Sequence, residues 1–314
     1  MPKTSYAIGI DLGGTTVKCA LVDKKGKIIQ THKISSRADE GPEAVIGQIK
    51  LSIKELIKNS NGKNIKGVGI AAAGIVDQQS GIVKSPPNFK NWGSVPLGAI
   101  LAQSISLPVL VENDANAAAI AEAKFGSGKN YPNFLFVIWG TGVGGGIILD
   151  GKIYQGPYGG AGEVGHISID YKGVPCNCGS KGCVEAYIGQ KYLSKRVAKE
   201  LLNHPESKLP KYINGELEPL NISLAAEEGD EFSKKMLIEA GSYLGCAIAA
   251  VMNTMDLRVT IIGGGISAVG KFVYDSIQTS VKSYVLTPLK EGIIVLPATL
   301  GNDAGVLGAA GLLL

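Results

Sequence analysis

The sequence predicts an α/β protein made of two related halves, each with its own sheet. Three observations predict this class: a length of 314 residues that suits two domains of ~150 residues each, a hydrophobic content of 45%, and a strand, glycine turn and strand pattern that begins twice. The 43 glycines follow no triplet period, which excludes collagen. The high apolar content also excludes a disordered chain.

The first half begins with a predicted three-stranded meander. The meander consists of Tyr6–Asp11, Val17–Val22 and Lys27–Ile34. Two further strands of the first half are predicted at Ile65–Ala72 and Val109–Val111. Apolar residues recur at helical spacing over 41–59, and an alanine-rich stretch at 115–125 follows the last strand. Both stretches are predicted helices.

The second half repeats this pattern. Phe134–Trp139 runs into a Gly/Thr stretch and is followed by partner strands at Ile147–Leu149 and Lys152–Ile153. Later, Val259–Gly265 echoes Gly67–Gly74 as a strand that ends in a small-residue turn. We therefore predict an internal duplication with a ligand in the cleft between the halves. A chance likeness of common α/β patterns is the alternative.

Charge and hydropathy exclude several partners. The net charge is only +4, and no Lys/Arg stripe carries interleaved aromatic residues, so we expect no nucleic-acid partner. No uninterrupted apolar run reaches the ~18 residues of a membrane span, and Asp11 interrupts any signal peptide. We expect a cytoplasmic protein without a membrane partner, whose five cysteines are thiols or metal ligands.

The first glycine turn has the composition of a phosphate-binding loop. The backbone amides of Gly13 and Gly14 and the hydroxyls of Thr15 and Thr16 are suitable donors to phosphate. Asp11, at the end of the preceding strand, is a suitable ligand for hydrated Mg²⁺. A Walker loop is excluded because no Gly-Lys-Ser/Thr precedes a helix. An ordinary tight hairpin is the alternative.

The second glycine run, Gly140–Gly146, has five glycines in seven residues. Such a run weakens a strand, which predicts a close approach to its backbone. We interpret it as a hairpin that holds a polyphosphate together with the first turn. Gly263–Gly265 offers a flat platform for a nucleotide base, with a plain strand-to-helix turn as the alternative.

Three closely spaced cysteines predict a metal site. Cys176, Cys178 and Cys183 lie in a glycine-rich loop, with His166 ten residues before the first of them. One histidine and three thiolates complete the tetrahedral ligand set of a structural Zn²⁺. Three free thiols are the alternative, since a disulfide between Cys176 and Cys178 would be strained.

Acidic residues mark a candidate reaction centre. Glu112, Asn113 and Asp114 lie where a strand ends and a helix begins, which is where open α/β sheets bind ligands. The helix dipole keeps a carboxylate there ionised, able to accept a proton from a hydroxyl during phosphoryl transfer. Plain N-capping by Asn113 or Asp114 is the alternative. Glu163 and Glu185 are suitable acceptors for sugar hydroxyls, or else exposed surface carboxylates.

Together these motifs resemble the ROK family of sugar kinases and sugar-responsive repressors. The matching segments are 11–15, 112–117, 140–146, 162–166, 176–185, 262–267 and 301–309. The resemblance covers essentially the whole chain. It implies an actin-like (ribonuclease H-like, duplicated) two-domain sugar kinase fold with a central cleft. Residues 1–114 and the C-terminal helix 303–314 would form the first domain, and residues 115–302 the second.

The resemblance also implies individual roles. Asp114 matches the catalytic base. The sugar-binding positions are Gly74, Asn88, Asn113, Asp114, Glu163, His166 and Glu185. The ATP-binding positions are Asp11, Gly13, Gly14, Thr15, Thr16, Lys18, Gly140, Thr141, Gly142, Gly144, Gly145, Gly264 and Gly265. The zinc ligands are His166, Cys176, Cys178 and Cys183; with one ring nitrogen of His166 on zinc, the other N–H would donate to a sugar hydroxyl.

We therefore expect an ATP- and Mg²⁺-dependent kinase of a free hexose, with glucose phosphorylated at its 6-hydroxyl, a structural Zn²⁺ and a homodimeric state. N-acetylmannosamine, N-acetylglucosamine, allose, mannose or fructose are alternative substrates. A sugar-sensing repressor would need a helix-turn-helix domain, and we expect no room for one before the strand at Tyr6. An actin-like ATPase or filament protein is a third alternative, which would leave the cysteine loop without a purpose.

Overall fold

A computed structural model describes residues 5–265 and 270–314. The strands in this part of the chain are β1 Ser5–Leu12, β2 Thr16–Asp23, β3 Ile28–Ser35, β4 Asn64–Ala72, β5 Ile75–Asp77, β6 Ile82–Lys84, β7 Ser94–Val95, β8 Val109–Asn113, β9 Phe134–Trp139, β10 Val143–Leu149, β11 Lys152–Tyr154, β12 Val259–Gly263 and β13 Ile294–Pro297. Its α-helices are α1 Pro42–Lys58, α2 Leu97–Ile105, α3 Asp114–Phe125, α4 Glu185–Ile188, α5 Gln190–Leu201, α6 Pro219–Glu227, α7 Glu231–Met255, α8 Lys271–Tyr284 and α9 Ala304–Gly311.

The first sheet has the strand order β3-β2-β1-β4-β8. β1, β2 and β3 form an antiparallel meander, while β4 and β8 run parallel to β1. The turn between β2 and β3 closes when the Gly26 N–H donates to Asp23 O at 3.0 Å, with Gly26 at a φ of 81° that favours glycine. The predicted meander is confirmed.

The second sheet has the matching order β11-β10-β9-β12-β13. β10 and β11 are antiparallel, and β12 runs parallel to both β9 and β13. β12 therefore occupies the position that β4 has in the first sheet, which confirms the predicted duplication. A separate small sheet has the order β5-β6-β7.

One predicted turn is shorter than expected. β10 begins at Val143, so Gly144–Gly146 lie in the strand and the predicted hairpin over 140–146 is wrong in its second half. A Cβ built on Gly145 would lie 2.5 Å from Gly162 O. The glycines weaken the strand locally but allow the chain at Gly162 to pack closely against it. Strand β10 therefore forms in spite of its glycines.

The last helix packs on the first sheet through contacts that only glycine permits. Cβ atoms built on Gly9, Gly69 and Gly308 would lie 1.9 Å, 1.8 Å and 1.7 Å from backbone oxygens of other elements. These oxygens belong to Val306 and Ala309 of α9 and to Ala117 of α3. Backbone therefore meets backbone between β1, β4, α3 and α9. Helix α9 thus contacts strands β1 and β4 of the first sheet.

By length and composition alone, helix α7 is long and apolar enough to cross a membrane. It contains no uninterrupted apolar run of ~18 residues, but a helix window tolerates a few polar ones. In the structure 61% of the window is buried. Gly245 packs so closely on α8 that a Cβ there would lie 2.6 Å from Ile277 O. Helix packing inside the protein thus accounts for the apolar character of α7.

The chain divides into two compact units. The first comprises Met1–Pro132, Gly146–Ala161 and Thr299–Leu314, and the second comprises Asn133–Gly145 and Gly162–Ala298. The core of the first unit lies between its sheet and helices α1 and α2, where Val45, Ile49 and Ile53 are fully buried at helical spacing. The domain boundaries near residues 114 and 303 stay a prediction.

Candidate active site

Polar residues of the first unit meet at the carboxyl ends of its three parallel strands. Asp11 of β1 is paired with Ala71 of β4, and Ala71 is paired with Glu112 of β8. Asp114 follows as the first residue of α3. In open α/β sheets this edge binds ligands, because loops and helix N-termini converge there. The structure thus brings together Asp11, Asn113 and Asp114.

Asn113 holds the start of α3. Its Oδ1 accepts hydrogen bonds from the backbone N–H groups of Ala115 at 2.9 Å and Asn116 at 3.2 Å. Its Nδ2 donates to Gly74 O at 3.1 Å. The capping alternative is thus correct for Asn113. Gly74 has a φ of 91°, and its contact with Asn113 joins two predicted sugar-binding positions.

Asp114 carries the carboxylate best suited to accept a proton. The residue is exposed, and its Oδ1 accepts a hydrogen bond from the backbone N–H of Ala115 at 2.8 Å. Protein packed around the carboxylate limits its hydration, which raises the pKa of Asp114 above the usual value. A reachable carboxylate with an increased proton affinity has the properties of a general base.

Asp11 lies between opposing charges. The pKa of Asp11 is raised by burial and by the negative charge of Asp114, whereas Lys18, its cross-strand neighbour, lowers it. Lys18 Nζ in turn donates to Asp303 Oδ1 at 2.5 Å, just before α9. A Cβ built on Gly305 would lie 2.8 Å from Asp11 Cγ, so the carboxylate sits at the first turn of α9. Two neighbouring carboxylates with one nearby ammonium suit a divalent cation.

The turn between β1 and β2 is held by hydrogen bonds. It contains Gly13, Gly14 and Thr15, and Thr16 is the first residue of β2. The Gly13 N–H donates to Thr16 O at 3.0 Å, and Ser36 Oγ donates to Gly14 O at 2.7 Å. A Cβ on Gly14 would lie 3.0 Å from Asn88 Cβ, so the exposed Asn88 lies beside the turn. The Gly13 N–H is already hydrogen-bonded within the turn. The predicted phosphate contacts would therefore come from the other residues of the motif, Gly14, Thr15 and Thr16.

Glu112 forms a buried hydrogen-bond centre that sequence reasoning did not anticipate. It is only 2% exposed. Its Oε1 accepts hydrogen bonds from Asn113 N at 2.9 Å and Asn116 Nδ2 at 3.1 Å. Its Oε2 accepts them from Gln155 Nε2 at 2.6 Å and Gln78 Nε2 at 3.1 Å. In the sequence, a glutamate at the end of an apolar strand indicates that hydrogen-bond donors must surround it, but not which distant amides supply them.

The glycine turn of the second unit is fixed at its base. The Gly140 N–H donates to Gly142 O at 2.9 Å. The N–H of Gln190, the first residue of α5, donates to Gly140 O and Thr141 O at 3.1 Å and 3.2 Å. The tight turn that was predicted to bind phosphate is therefore real, although it spans fewer residues than expected.

Glu185 contacts this turn directly. The residue is half-buried at the start of α4, and its Oε2 accepts a hydrogen bond from Val143 N at 2.8 Å. The alternative of an exposed surface carboxylate is wrong for Glu185. Glu163, before the 3₁₀ turn Val164–His166, is exposed, so for this residue both interpretations stay open.

Two of the predicted ATP-binding glycines are required by the protein's own packing. Gly145 is in β10, next to Gly144, where the chain at Gly162 approaches it. Gly264 has a φ of 96°, and a Cβ there would lie 2.2 Å from Trp139 O. Gly265 differs, because no atom of the described residues lies within 4 Å of a Cβ built on it. Residues 266 and 267, the end of the 262–267 motif, lie outside the described residues.

The histidine and three cysteines of the second unit converge. Ligand atoms of His166, Cys176, Cys178 and Cys183 all lie within 4.8 Å of one another. The Sγ atoms of Cys178 and Cys183 are 3.7 Å apart, and Cys176 Sγ is 3.8 Å from His166 Nδ1. Tetrahedral zinc with Zn–S bonds of ~2.3 Å separates its ligand atoms by ~3.8 Å, so the four residues fit such an ion. His166 Nδ1 faces the cluster, which leaves Nε2 on the other side of the ring.

Burial and the neighbouring sulfurs raise the pKa of the Cys183 thiol. Three sulfurs packed this closely would repel one another as thiolates, and a bound cation removes that repulsion. The chemistry of the donor set therefore agrees with its geometry.

These features define an actin-like two-domain α/β protein: duplicated sheets, an acidic edge in the first unit, and a glycine turn and a Cys/His cluster in the second. The chain belongs to the ROK family, whose sequence profile matches residues 7–314.

Three relatives illustrate the range of the family. The glucokinase of Streptomyces coelicolor is 38% identical, over 97% of this chain and 96% of its own length. The crystal structure of a ROK family glucokinase from Streptomyces griseus, in complex with glucose and AMPPNP, superposes with a TM-score of 0.81 at 35% identity, covering 98% of this chain and 99% of that one. The xylose repressor of Bacillus subtilis is 31% identical, over 99% of this chain and 78% of the repressor.

Proposed function

We propose that this protein is an ATP-dependent hexose kinase that transfers the γ-phosphate of ATP to the 6-hydroxyl of glucose. The observation that carries the proposal is the carboxylate of Asp114, exposed at the start of α3 with a raised pKa. The similarity to glucokinases along the full chain supports the substrate.

Asp114 would act as the general base. As the transferring phosphoryl group leaves ATP, the sugar hydroxyl becomes more acidic, and Asp114 accepts its proton. Asn113 orients Asp114, because its capping bonds fix the first turn of α3. The chain's task is then positioning and proton removal, while ATP supplies the phosphoryl group.

The remaining roles are also proposals. Sugar hydroxyls would be bound by Gly74, Asn88 and Asn113 of the first unit, and by Glu163, His166 and Glu185 of the second. ATP would be bound by Asp11, the turn at 13–16 and Lys18, and by the segment 140–145, Gly264 and Gly265. Since two of these glycines already face protein backbone, the turn at 140–142 is the stronger ATP-binding candidate in the second unit.

Two metals belong to the proposal. Mg²⁺ would be held near Asp11 and would neutralise phosphate charge during transfer. Zn²⁺ would be held by His166, Cys176, Cys178 and Cys183 as a structural ion. If Nδ1 of His166 held the zinc, Nε2 would carry the proton and could donate it to a sugar hydroxyl.

Other substrates are alternatives within the same proposal: N-acetylmannosamine, N-acetylglucosamine, allose, mannose and fructose. Sugar sensing without transfer is a second candidate, favoured by the similarity to xylose repressors. A homodimeric state and a cytoplasmic location are further parts of the proposal, the first measurable by sedimentation.

A coupled ADP-release assay over these hexoses tests the proposal, with polyphosphate as a second donor. We expect glucose to give the highest kcat/KM. Asp114→Asn should lower kcat by ~10²–10⁴-fold while glucose still binds in calorimetry. Asp275→Asn, which changes an exposed carboxylate of α8 that pairs with Lys271, is the matched control. Sugar binding without ADP release from any hexose would favour the sensor. Normal turnover by Asp114→Asn would reject this base.

A further inference from the structure

Glu112 has no role in the proposed reaction, yet it is a buried charged group next to the proposed base. We infer that Glu112 is a positioning residue, which fixes Asn113 and Asp114 relative to the two loops that carry Gln78 and Gln155. The inference rests on the proposed function for its consequence, but the geometry that carries it lies wholly within the first unit.

One oxygen of Glu112 holds the segment around Asp114 from both sides. Oε1 accepts a hydrogen bond at 2.9 Å from the Asn113 N–H, which lies in the peptide between Glu112 and Asn113, one residue before Asp114. The same oxygen accepts one from Asn116 Nδ2 at 3.1 Å, two residues after Asp114. Because this helix start is anchored on either side of it, the direction of Asp114 is determined by Glu112 as well as by the cap.

The other oxygen holds two loops. Gln78, which donates to Oε2 at 3.1 Å, follows β5, and β5 begins immediately after Gly74. Gln155, which donates at 2.6 Å, follows β11 and closes the loop 155–161 through a bond from Ala161 N to its carbonyl at 3.1 Å. One carboxylate thus ties three chain segments distant in sequence to the same point.

The number and kind of donors around Glu112 indicate that its carboxylate holds the neighbouring segments in place. Four N–H donors surround a carboxylate that is 2% exposed, and each bond is charge-assisted. In such a dry setting these bonds are strong, and a donor that loses its acceptor is left unpaired. Loss of one partner should therefore release a loop and leave the fold intact.

Two gentle variants test the inference, with glucose as the probe. Gln155→Met removes one donor but keeps an unbranched side chain of similar length. Glu112→Gln keeps the shape and removes the charge, and the amides of Gln78 and Gln155 can turn over to accept from the new amide. Both variants are therefore expected to fold. The double variant Glu112→Gln/Gln155→Met completes a double-mutant cycle. If the two residues act through their mutual contact, the two single effects will not add; if they act independently, they will.

Glu122→Gln is the matched control. Glu122 is equally buried, in the helix α3 that follows β8, and its Oε1 accepts hydrogen bonds from the backbone N–H groups of Thr299 and Leu300, both at 2.9 Å. It ties α3 to the chain before α9 and contacts neither Gln78 nor Gln155. A general loss of buried carboxylate charge would affect this variant as much as Glu112→Gln.

We expect Gln155→Met and Glu112→Gln each to raise the glucose Kd and KM about tenfold, the effect of losing one charge-assisted hydrogen bond. The KM for ATP should stay within about twofold of wild type. The double variant should be less impaired than the product of the single effects.

Hydrogen exchange at the Asn113 amide should accelerate in Glu112→Gln and that at the Ala161 amide in Gln155→Met. Glu122→Gln should lower the melting temperature without these changes.

Unchanged glucose Kd and unchanged amide exchange in both variants would overturn the inference, as would an equal shift of glucose Kd in Glu122→Gln. Failure of the proposed function has a different signature. If the wild-type protein phosphorylates no hexose, the kinase proposal fails, whereas exchange at the Asn113 and Ala161 amides still decides whether Glu112 anchors these segments.

Discussion

The carboxylate of Glu185 accepts a hydrogen bond from the backbone N–H of Val143 at 2.8 Å. This contact joins a residue proposed to bind sugar to the turn proposed to bind ATP, both within the second unit. Glu185 therefore has a local structural task in addition to any contact with a sugar, because β10 begins at Val143.

Glu185→Ala should impair the binding of both substrates. Without the carboxylate the Val143 N–H loses its acceptor and the turn at 140–142 is less ordered, so we expect the KM values for glucose and ATP both to rise. Glu163→Ala, which changes an exposed carboxylate, should raise only the KM for glucose. Steady-state kinetics with each substrate varied will measure this. An unchanged KM for ATP in Glu185→Ala would contradict the structural task.

The pH dependence of kcat should report the raised pKa of Asp114. A general base works when deprotonated, so activity is full above the pKa and is lost as the pH falls through it. Because desolvation raises this pKa, the loss should begin at a higher pH than for an ordinary aspartate of pKa ~3.9. An acid limb at or below the pH expected of an ordinary aspartate would contradict a base with a raised pKa.

Removal of one cluster thiolate should release the proposed zinc ion. Cys178→Ser is expected to reduce bound zinc well below one ion per chain and to lower the melting temperature. The glucose Kd should also rise, because His166 loses the bond that orients its ring. Cys246→Ser, which changes a cysteine outside the cluster, should keep the metal and the affinity. Metal analysis and calorimetry will check both variants, and full zinc content in Cys178→Ser would reject the ligand set.

Glycine replacements should separate packing from helix propensity. A Cβ at Gly308 would lie 1.7 Å from Ala117 O, so Gly308→Ala should destabilise the protein by ~1–3 kcal/mol or more. No described atom lies within 4 Å of a Cβ at Gly47 in α1, so Gly47→Ala should stabilise by ~0.5–1 kcal/mol. Denaturant unfolding will measure both changes. Equal stability of the two variants would show that α3 and α9 separate readily.

Local patterns were enough to predict much of the fold. The meander β1 to β3 depends on glycine turns between short apolar runs, and the likeness of β4 and β12 depends on two similar segments. The Cys/His cluster was predictable because its three cysteines lie within eight residues and constrain one another.

Contacts between distant residues were not predictable in the same way. Gln78 and Gln155 are ordinary glutamines in the sequence, and only the folded chain brings both amides to Glu112. Similarly, a glycine excess indicates that something approaches the backbone, but not what. At Gly145 and Gly264 it is the chain itself, although a nucleotide was the expectation.

The position of α9 has a consequence for synthesis on the ribosome. Strands β1 and β4 are translated early. The backbone at Gly9 and Gly69, however, stays uncovered until helix α9, which contains Val306 and Ala309, has been translated. Through most of translation these bare backbone surfaces would be open to chaperones and to other nascent chains. A stalled ribosome or a premature stop near the 3′ end of the message would therefore leave the early strands exposed, however complete the rest of the polypeptide.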